Sequence, residues 1–212
     1  MKRLFSLLIG VVGVTLLSVS CVIPEKFTCD INIAKNGTYS VKADGTLVYI
    51  GVFDEIKKQG KVSEKTDEDV KSSFEGAFKE ETSVKKYEYR NNGREYIEYF
   101  KEVTDGSSLD LSASGFPLTI TVDPDGIITV KVTAVNSRGK EALEEYSKYG
   151  YKLDGKMTIT SELPVIDAGG QKVENKYIFF GPKVIKKSVT MATLPLDDIV
   201  IKFSAKEKME QK

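Results

Sequence analysis

The sequence predicts an α+β fold, an antiparallel β-sheet built from hairpins with two α-helices packed on one face. Three observations support this prediction: short segments in which apolar and polar residues alternate, three turn motifs that end in glycine, and two segments with helical spacing of apolar residues. The chain has 212 residues, 41% of them apolar and 29% charged, which is typical of a globular domain with one core. We expect a leader over residues 1–20, one α+β domain over 21–204 and a charged tail over 205–212.

The length of each hairpin loop follows from which apolar residues face each other across it. A two-residue loop at Asp125-Gly126 would set apolar Val122 against polar Thr129, whereas a three-residue loop sets Val122 against Ile128. Such a loop is a type I turn followed by a glycine with positive φ. The same loop at Asn36-Gly37 and at Asn92-Gly93 completes the predicted pairs: Ile33–Tyr39, Ile31–Val41, Cys29–Ala43, Tyr87–Ile97, Ile120–Val130 and Leu118–Val132.

Two segments carry the start signals and the apolar spacing of helices. Residues 63–81 begin with the capping candidates Ser63 and Thr66, and residues 136–149 begin with Asn136 or Ser137. A shorter helical turn is expected over 52–58. The apolar stripes are Val70, Phe74, Ala77 and Phe78 in the first helix, and Ala142, Leu143, Tyr146 and Tyr149 in the second. The other strands are predicted over 46–50, 156–161, 176–180, 187–193 and 199–203.

The first twenty residues have the three parts of a secretory signal. Met1-Lys2-Arg3 is a short basic start, residues 4–17 are mostly apolar, and Ser18 to Ser20 are small residues suited to cleavage. The apolar stretch is somewhat short for a permanent spanning helix, which needs about 20 apolar residues. We therefore expect the chain to be exported from the cytoplasm.

Cys21 directly follows these small residues, and the arrangement resembles the lipobox of bacterial lipoproteins. The resemblance implies that the Cys21 sulfur receives diacylglycerol and that the new N-terminus is acylated, which anchors the protein to a membrane. Where the family favours Leu three residues before the Cys, this chain has Ser18, so a soluble secreted product is the alternative. Val22 is not the Asp that retains such lipoproteins in the inner membrane, which favours the outer membrane, facing the periplasm.

The second cysteine separates these two alternatives. If Cys21 carries lipid, Cys29 is a lone thiol in an oxidising compartment and should be buried. If Cys21 is free, the two cysteines could close a small disulfide loop. Alternation places Cys29 on the same strand face as Phe27 and Ile31, so we expect a buried thiol and no disulfide.

Composition excludes several classes of chemistry. The sequence contains no His, which rules out Ser-His-Asp and Cys-His catalysis and His-based metal sites. It also lacks the P-loop and dinucleotide motifs, and we expect no cofactor. Lys plus Arg equals Asp plus Glu, at 31 each, so charge gives no reason to expect nucleic acid as a partner.

Carboxylate chemistry is left only by elimination. Asp123-Pro124-Asp125-Gly126 has the start of a calcium loop, but its spacing favours a turn. Asp197-Asp198 is expected in a loop before a strand. A hydrolase that uses two carboxylates therefore stays as an alternative without selected residues.

Tyrosines and lysines provide the remaining candidates for binding. Tyr residues on half-buried strands are usually structural, but on an exposed sheet they can hold a sugar, a peptide or a lipid. A cluster of lysines near the C-terminal strands could meet anionic head groups or form a solvated edge. The tyrosines are Tyr87, Tyr89, Tyr96, Tyr99, Tyr146, Tyr149 and Tyr151, and the lysines are Lys183, Lys186 and Lys187.

The order of elements over residues 21–194 resembles the domain of LppM-type bacterial lipoproteins. The similar features are the strand after Cys21 with its Asn36-Gly37 turn, then Asp154-Gly155, the run 157–160, Pro164-Val165-Ile166 and Tyr177. Some members of that family bind glycolipids or phosphoinositide-like amphiphiles, and the resemblance implies such a role. The lack of catalytic motifs leads us to expect a non-enzymatic domain. We expect a lipid-anchored envelope domain whose partner is another envelope protein, met through a sheet face or edge, or an amphiphile held between sheet and helices.

Overall fold

The computed structural model describes residues 22–79, 81–112, 115–177 and 181–205. Cys21, the predicted leader and nearly all of the predicted tail lie outside these residues. Within them the chain forms twelve strands: β1 Val22–Ile33, β2 Tyr39–Tyr49, β3 Val84–Tyr89, β4 Arg94–Val103, β5 Leu109–Asp110, β6 Leu118–Val122, β7 Ile127–Val132, β8 Asp154–Ser161, β9 Val165–Asp167, β10 Val173–Asn175, β11 Lys183–Thr190 and β12 Ile199–Ser204. The three α-helices there are α1 Gly51–Gln59, α2 Glu64–Phe78 and α3 Ser137–Ser147.

The strands form two sheets. Sheet A has seven strands in the order β10-β11-β8-β1-β2-β4-β3, and sheet B has five in the order β5-β6-β7-β12-β9. Sheet A is mixed: β1 and β8 pair in parallel, with Ile31 opposite Ile159, whereas β8 and β11 pair in the antiparallel sense. The chain thus leaves the first hairpin, builds most of sheet B and returns to place β8 beside β1.

The predicted fold class, α+β with an antiparallel sheet built from hairpins and two helices on one face, is wrong. Among the residues that the structure describes, strands account for 45% and helices for 22%, and these residues form two sheets and three α-helices. The physical reason is that an apolar sheet face can be covered by a second sheet as well as by helices. Here the inward residues of β6, β7 and β12 join those of sheet A in one hydrophobic core.

The three predicted hairpin loops are confirmed by the strand registers. Ile31 pairs with Val41, Tyr87 with Ile97 and Ile120 with Val130, and every other predicted pair is also present. Gly37, Gly93 and Gly126 all have positive φ. The second loop differs in its turn type, because Asn91 and Asn92 are left-handed as well, with φ of 65° and 54°.

The predicted helices form, with caps that the sequence indicated. Ser63 Oγ accepts a hydrogen bond from the Thr66 amide at the start of α2, and Asn136 Oδ1 accepts one from Gly139 at the start of α3. None of the helices within the described residues is long and apolar enough to cross a membrane. The strand expected over 176–180 does not begin at Lys176, because the edge strand there is β10, which ends at Asn175.

Candidate binding surface

Sheet A has one buried face and one that faces solvent. In β1 the buried side chains alternate with exposed ones, so that Cys29 and Ile31 point into the core while Thr28 and Asp30 point away from it. We call the outward side chains of the four central strands the open face. None of them is buried: Asp154, Lys156, Thr158 and Thr160 of β8; Lys26, Thr28, Asp30 and Asn32 of β1; Ser40, Lys42, Asp44 and Thr46 of β2; Tyr96, Glu98, Phe100 and Glu102 of β4.

Two concavities of about 280 Å³ each lie on the open face, one toward each end of β1. Concavity 1 is near the start of β1 and has mainly polar walls: Lys26, Thr28, Asp44, Thr46, Arg90, Tyr96, Asp154 and Lys156, with Phe27 and Gly45. Concavity 2 is near the end of β1, and its polar side chains are Asn32, Thr38, Ser40, Glu102, Thr160, Glu162 and Lys176. Neither of the two lies between sheet A and a helix.

Charge is balanced across these two concavities. Concavity 1 has three basic and two acidic side chains, and concavity 2 has one basic and two acidic side chains, so together they are neutral. Within the described residues the side chains of Lys26, Lys156 and Asp154 make no hydrogen bond or ion pair. These three side chains are free to meet a ligand without first breaking a contact in the protein.

One wall of concavity 1 is an aromatic ring covered by cations. The guanidinium carbon of Arg90 lies 4.4 Å from the centroid of the Tyr96 ring, and Lys86 Nζ lies 5.3 Å from it. Arg90 is held only loosely, at 3.5 Å from Thr46 Oγ1 and 3.7 Å from a carboxylate oxygen of Glu88. The ring can therefore be uncovered by a movement of two exposed side chains, Arg90 and Lys86.

Beneath concavity 1, two glycines leave room for the side chain of Phe27 on the buried face of the sheet. Phe27 lies in register between Gly45 on β2 and Gly155 on β8. A Cβ at either glycine would collide with Phe27. Its ring therefore lies flat on the sheet and meets Phe116 edge-on at 5.8 Å.

The predicted tyrosine cluster separates into two environments. Tyr96 is the one on the open face, where its hydroxyl donates to Glu98 at 3.1 Å. The other tyrosines of the hairpin, Tyr87, Tyr89 and Tyr99, point to the opposite side of the sheet. Tyr146 and Tyr151 pack on Phe53 of α1, with ring centroids 4.9 and 5.9 Å away, so their role is structural. Sequence spacing alone could not separate these roles.

Three of the predicted carboxylate and lysine candidates, Asp123, Asp198 and Lys183, have structural roles. Asp123 Oδ1 accepts a hydrogen bond from Ile127 within its turn, which confirms the turn interpretation. Asp198 accepts from the Ala134 amide and pairs with Lys131, both at 2.7 Å, and so fixes the loop before β12. Lys183 donates to Asn175 of the edge strand β10, and Lys186 lies beside the open face.

The acid with the most unusual environment lies on the other side of the sheet. Glu95 of β4 is 0% exposed, and neither of its carboxyl oxygens has a hydrogen-bond partner. Burial raises the pKa of Glu95 from its ordinary 4.5 to about 8. The hydroxyl of Tyr87 is likewise buried without a partner. Glu95 cannot act in concavity 1, because the sheet separates them.

Helix α2 packs against the edge of the sheet beside this buried acid. Its residues Val70 and Phe74 are buried, the Phe78 ring lies 6.0 Å from that of Tyr87, and Tyr87 interacts with both Glu95 and Glu75 of α2. The carboxylate of Asp67 accepts hydrogen bonds from the Tyr89 hydroxyl and the Gly93 amide. These contacts hold α2 against the β3–β4 edge of sheet A.

Cys29 is buried, as predicted, at 3% exposure. Burial, with smaller contributions from Asp30 and Asp44, raises the pKa of its thiol to about 12. Cys21, the predicted lipid attachment site, is not among the described residues. In the parts of the chain that the structure describes, no group of three Cys, Asp or Glu residues could hold a metal ion.

Comparisons with known proteins give a likeness to solved structures. No protein-family model matches the sequence, and no curated protein matches it. Among solved structures, the chain is similar to the NMR structure of the folded domain of LppM from Mycobacterium tuberculosis, with a TM-score of 0.44 and 13% identity over 84% of this chain and 88% of that one. This is the domain that the order of elements resembles.

Sequence reasoning missed the two residues that now define these sites, Arg90 and Glu95. For Glu95 a signal existed, since period-2 alternation with Ile97 and Tyr99 places it on the buried face of β4. For Arg90 none existed, because its neighbours Thr46 and Tyr96 belong to other strands. The pairing of β8 with β1, which brings Lys156 to Lys26, was equally invisible.

Proposed function

We propose that this chain is a lipid-anchored, non-enzymatic domain of the cell envelope that binds a polar ligand on the open face of sheet A. The observation that carries the proposal is a solvent-facing sheet surface with two polar concavities in line along β1. A sheet face whose outward side chains are all partly or fully exposed is available to a partner. The anchor is Cys21, through the motif that precedes it.

The chemistry of the two concavities favours a neutral, hydroxyl-rich ligand, such as a chain of sugars. Their charges cancel, which disfavours a strongly anionic or cationic partner. Both donors and acceptors line them, including Thr28, Ser40 and Asn32, and sugars need both. Tyr96 adds an aromatic ring on which a sugar could pack once Arg90 and Lys86 move aside.

The location of the concavities also suits an envelope ligand. Lys26, in concavity 1, follows Cys21 by five residues, which an extended strand spans in about 17 Å. From Lys26 to Ile33 the two concavities cover most of the length of β1, or about 23 Å. A ligand that fills both must be extended, as an oligosaccharide is.

A titration with neutral oligosaccharides tests the ligand class. We expect chitopentaose or cellopentaose to bind the full chain in non-ionic detergent, with heat measured by calorimetry. Replacing Tyr96→Ala or Lys156→Ala should weaken that binding at least about tenfold, whereas the exposed controls Tyr177→Ala and Lys152→Ala should not. Absence of binding by both sugars, or binding only to phosphatidylglycerol vesicles, would refute the saccharide proposal.

Intact-mass analysis of the protein from its native membrane tests the anchor separately. We expect a chain that begins at Cys21 and carries added acyl mass. Cys21→Ala should move the protein from the membrane fraction to the soluble fraction while leaving sugar binding unchanged. A native chain that starts at Met1, or one without added mass, contradicts the anchor but not the ligand.

A further inference from the structure

We propose that helix α2 is a pH-dependent lid over Glu95, closed while Glu95 is protonated and loosened as the pH rises. This regulation goes beyond the binding proposed for the open face and lies on the opposite side of sheet A. We infer it from a buried acid without a hydrogen-bond partner, a helix beside it with few buried residues, and a sequence without histidine.

The carboxyl group of Glu95 is buried away from polar partners. Glu95 is 0% exposed, and both of its oxygens lack a partner, as does the nearby Tyr87 hydroxyl. A neutral carboxyl can remain in such a place, but a carboxylate without a partner is strongly disfavoured there. Ionisation must therefore bring water or a cation to Glu95, which requires that its cover move.

The groups that face Glu95 add to this demand. On β3 the neighbours are the phenols Tyr87 and Tyr89, and in register on β2 is apolar Leu47. On α2 the charged groups on this side are Asp67 and Glu75, which interact with the Tyr89 and Tyr87 phenols. At the start of α2 lies a further acid, Glu55 of α1, which is hydrogen-bonded to Ser63. Arg94, next in sequence, is paired with Glu25 at 2.8 Å instead.

Helix α2 is attached to the sheet by few buried side chains. Of the fifteen residues of α2, only Val70 and Phe74 are buried. Gly76 lies inside the helix, which lowers the intrinsic stability of the helix relative to one with alanine at this position. Gly60, with φ of 77°, ends α1 just before the connection to α2 and provides a flexible position for a hinge. The helix depends on its contacts with the sheet and can leave as a unit.

Few other groups in the protein change their charge in the pH range in which the lid would respond. The sequence has no His, so the usual titrating group between pH 5 and 8 is absent. The Cys29 thiol, with a pKa of about 12, is also silent there. A pH response in this window can therefore be assigned to Glu95 with few competitors.

The direction of the response follows from proton linkage. With the lid closed Glu95 keeps its proton to about pH 8, whereas with the lid open it ionises near 4.5, as in water. The closed state is therefore fully favoured below about pH 4.5, and opening becomes up to about tenfold more favourable per pH unit until it levels off near pH 8. Opening exposes the rings of Phe74, Phe78 and Tyr87 beside an ionised carboxylate.

Amide hydrogen exchange of the full chain, in non-ionic detergent from pH 5 to 8, tests the lid. After correction for intrinsic exchange, we expect the protection factors of α2 amides to fall by up to about a thousandfold, while those of β1 and β8 do not change. Glu95→Gln should remove the pH dependence, whereas the matched control Glu98→Gln, on the open face of the same strand, should keep it.

Three outcomes would refute the lid proposal. The first is that the protection factors of α2 amides in the natural chain do not change with pH, and the second is that those of β1 and β8 fall equally. The third is that the pH dependence persists in Glu95→Gln. If Glu95→Gln does not fold, the natural chain and Glu98→Gln still decide the first two of these outcomes, either of which would refute the proposal. Sugar binding by the open face is measured independently, so failure of one proposal does not imply failure of the other.

Discussion

The two faces of strand β4 carry glutamates three residues apart in opposite environments. On the open face Glu98 accepts a hydrogen bond from the Tyr96 hydroxyl and remains partly exposed to water. On the buried face Glu95 has no partner and no exposure. The same side chain is therefore hydrogen-bonded and partly exposed at one position and buried without a partner at the other. Environment, rather than residue type, decides what a carboxyl can do here.

The difference also separates binding from stability. Side chains on the open face can change partners at small cost, because water and neighbouring charges replace what is lost. Side chains on the buried face are close-packed or uncompensated, so changes there alter folding or opening. The proposed ligand recognition and the proposed pH response thus lie on opposite sides of one sheet, and we expect that each can be altered without the other.

The largest expected effect is on the buried face of β1. Phe27→Ala should lower the free energy of unfolding by about 3–5 kcal/mol, because it leaves a cavity between Gly45, Gly155 and Phe116. Thr28→Ala, the adjacent residue on the open face, should change it by less than about 0.5 kcal/mol. Urea unfolding followed by circular dichroism measures both. Equal losses would show that the open face is not the solvent-facing surface described here.

A smaller loss of stability is expected when the ion pair between Arg94 and Glu25 is broken. Arg94 pairs with Glu25 through both carboxylate oxygens, at 2.8 and 2.9 Å, with side chains only 23% and 15% exposed. Arg94→Ala should lower the free energy of unfolding by about 2 kcal/mol, because it leaves Glu25 partly buried without its partner.

The control for this pair is Arg90→Ala on the open face. Arg90 makes long polar contacts with Glu88 and Thr46 and an exposed cation–π contact with Tyr96, and we expect a change below about 1 kcal/mol. The same urea titrations, repeated at low and high salt, compare the two arginines. A loss at Arg90 as large as that at Arg94 would contradict the loose attachment on which access to Tyr96 depends.

Local features were predictable because they depend on neighbours in sequence. The register of the β6–β7 hairpin followed from matching Val122 with Ile128 across a short loop, and the start of α2 followed from Ser63. The inward position of Glu95 could also be read from alternation with Ile97. Its lack of a partner could not, because that depends on what α2 and β3 place beside it.

The sequence by itself determined the hairpin registers, the positions of the helices and the burial of Cys29. Turn geometry, capping and period-2 alternation are set by residues a few positions apart. The tertiary structure alone decided that β8 lies parallel to β1, that a second sheet covers the first, and that Arg90, Lys26 and Lys156 meet at one concavity. These features depend on packing between apolar faces that are far apart in the sequence, which no local pattern encodes.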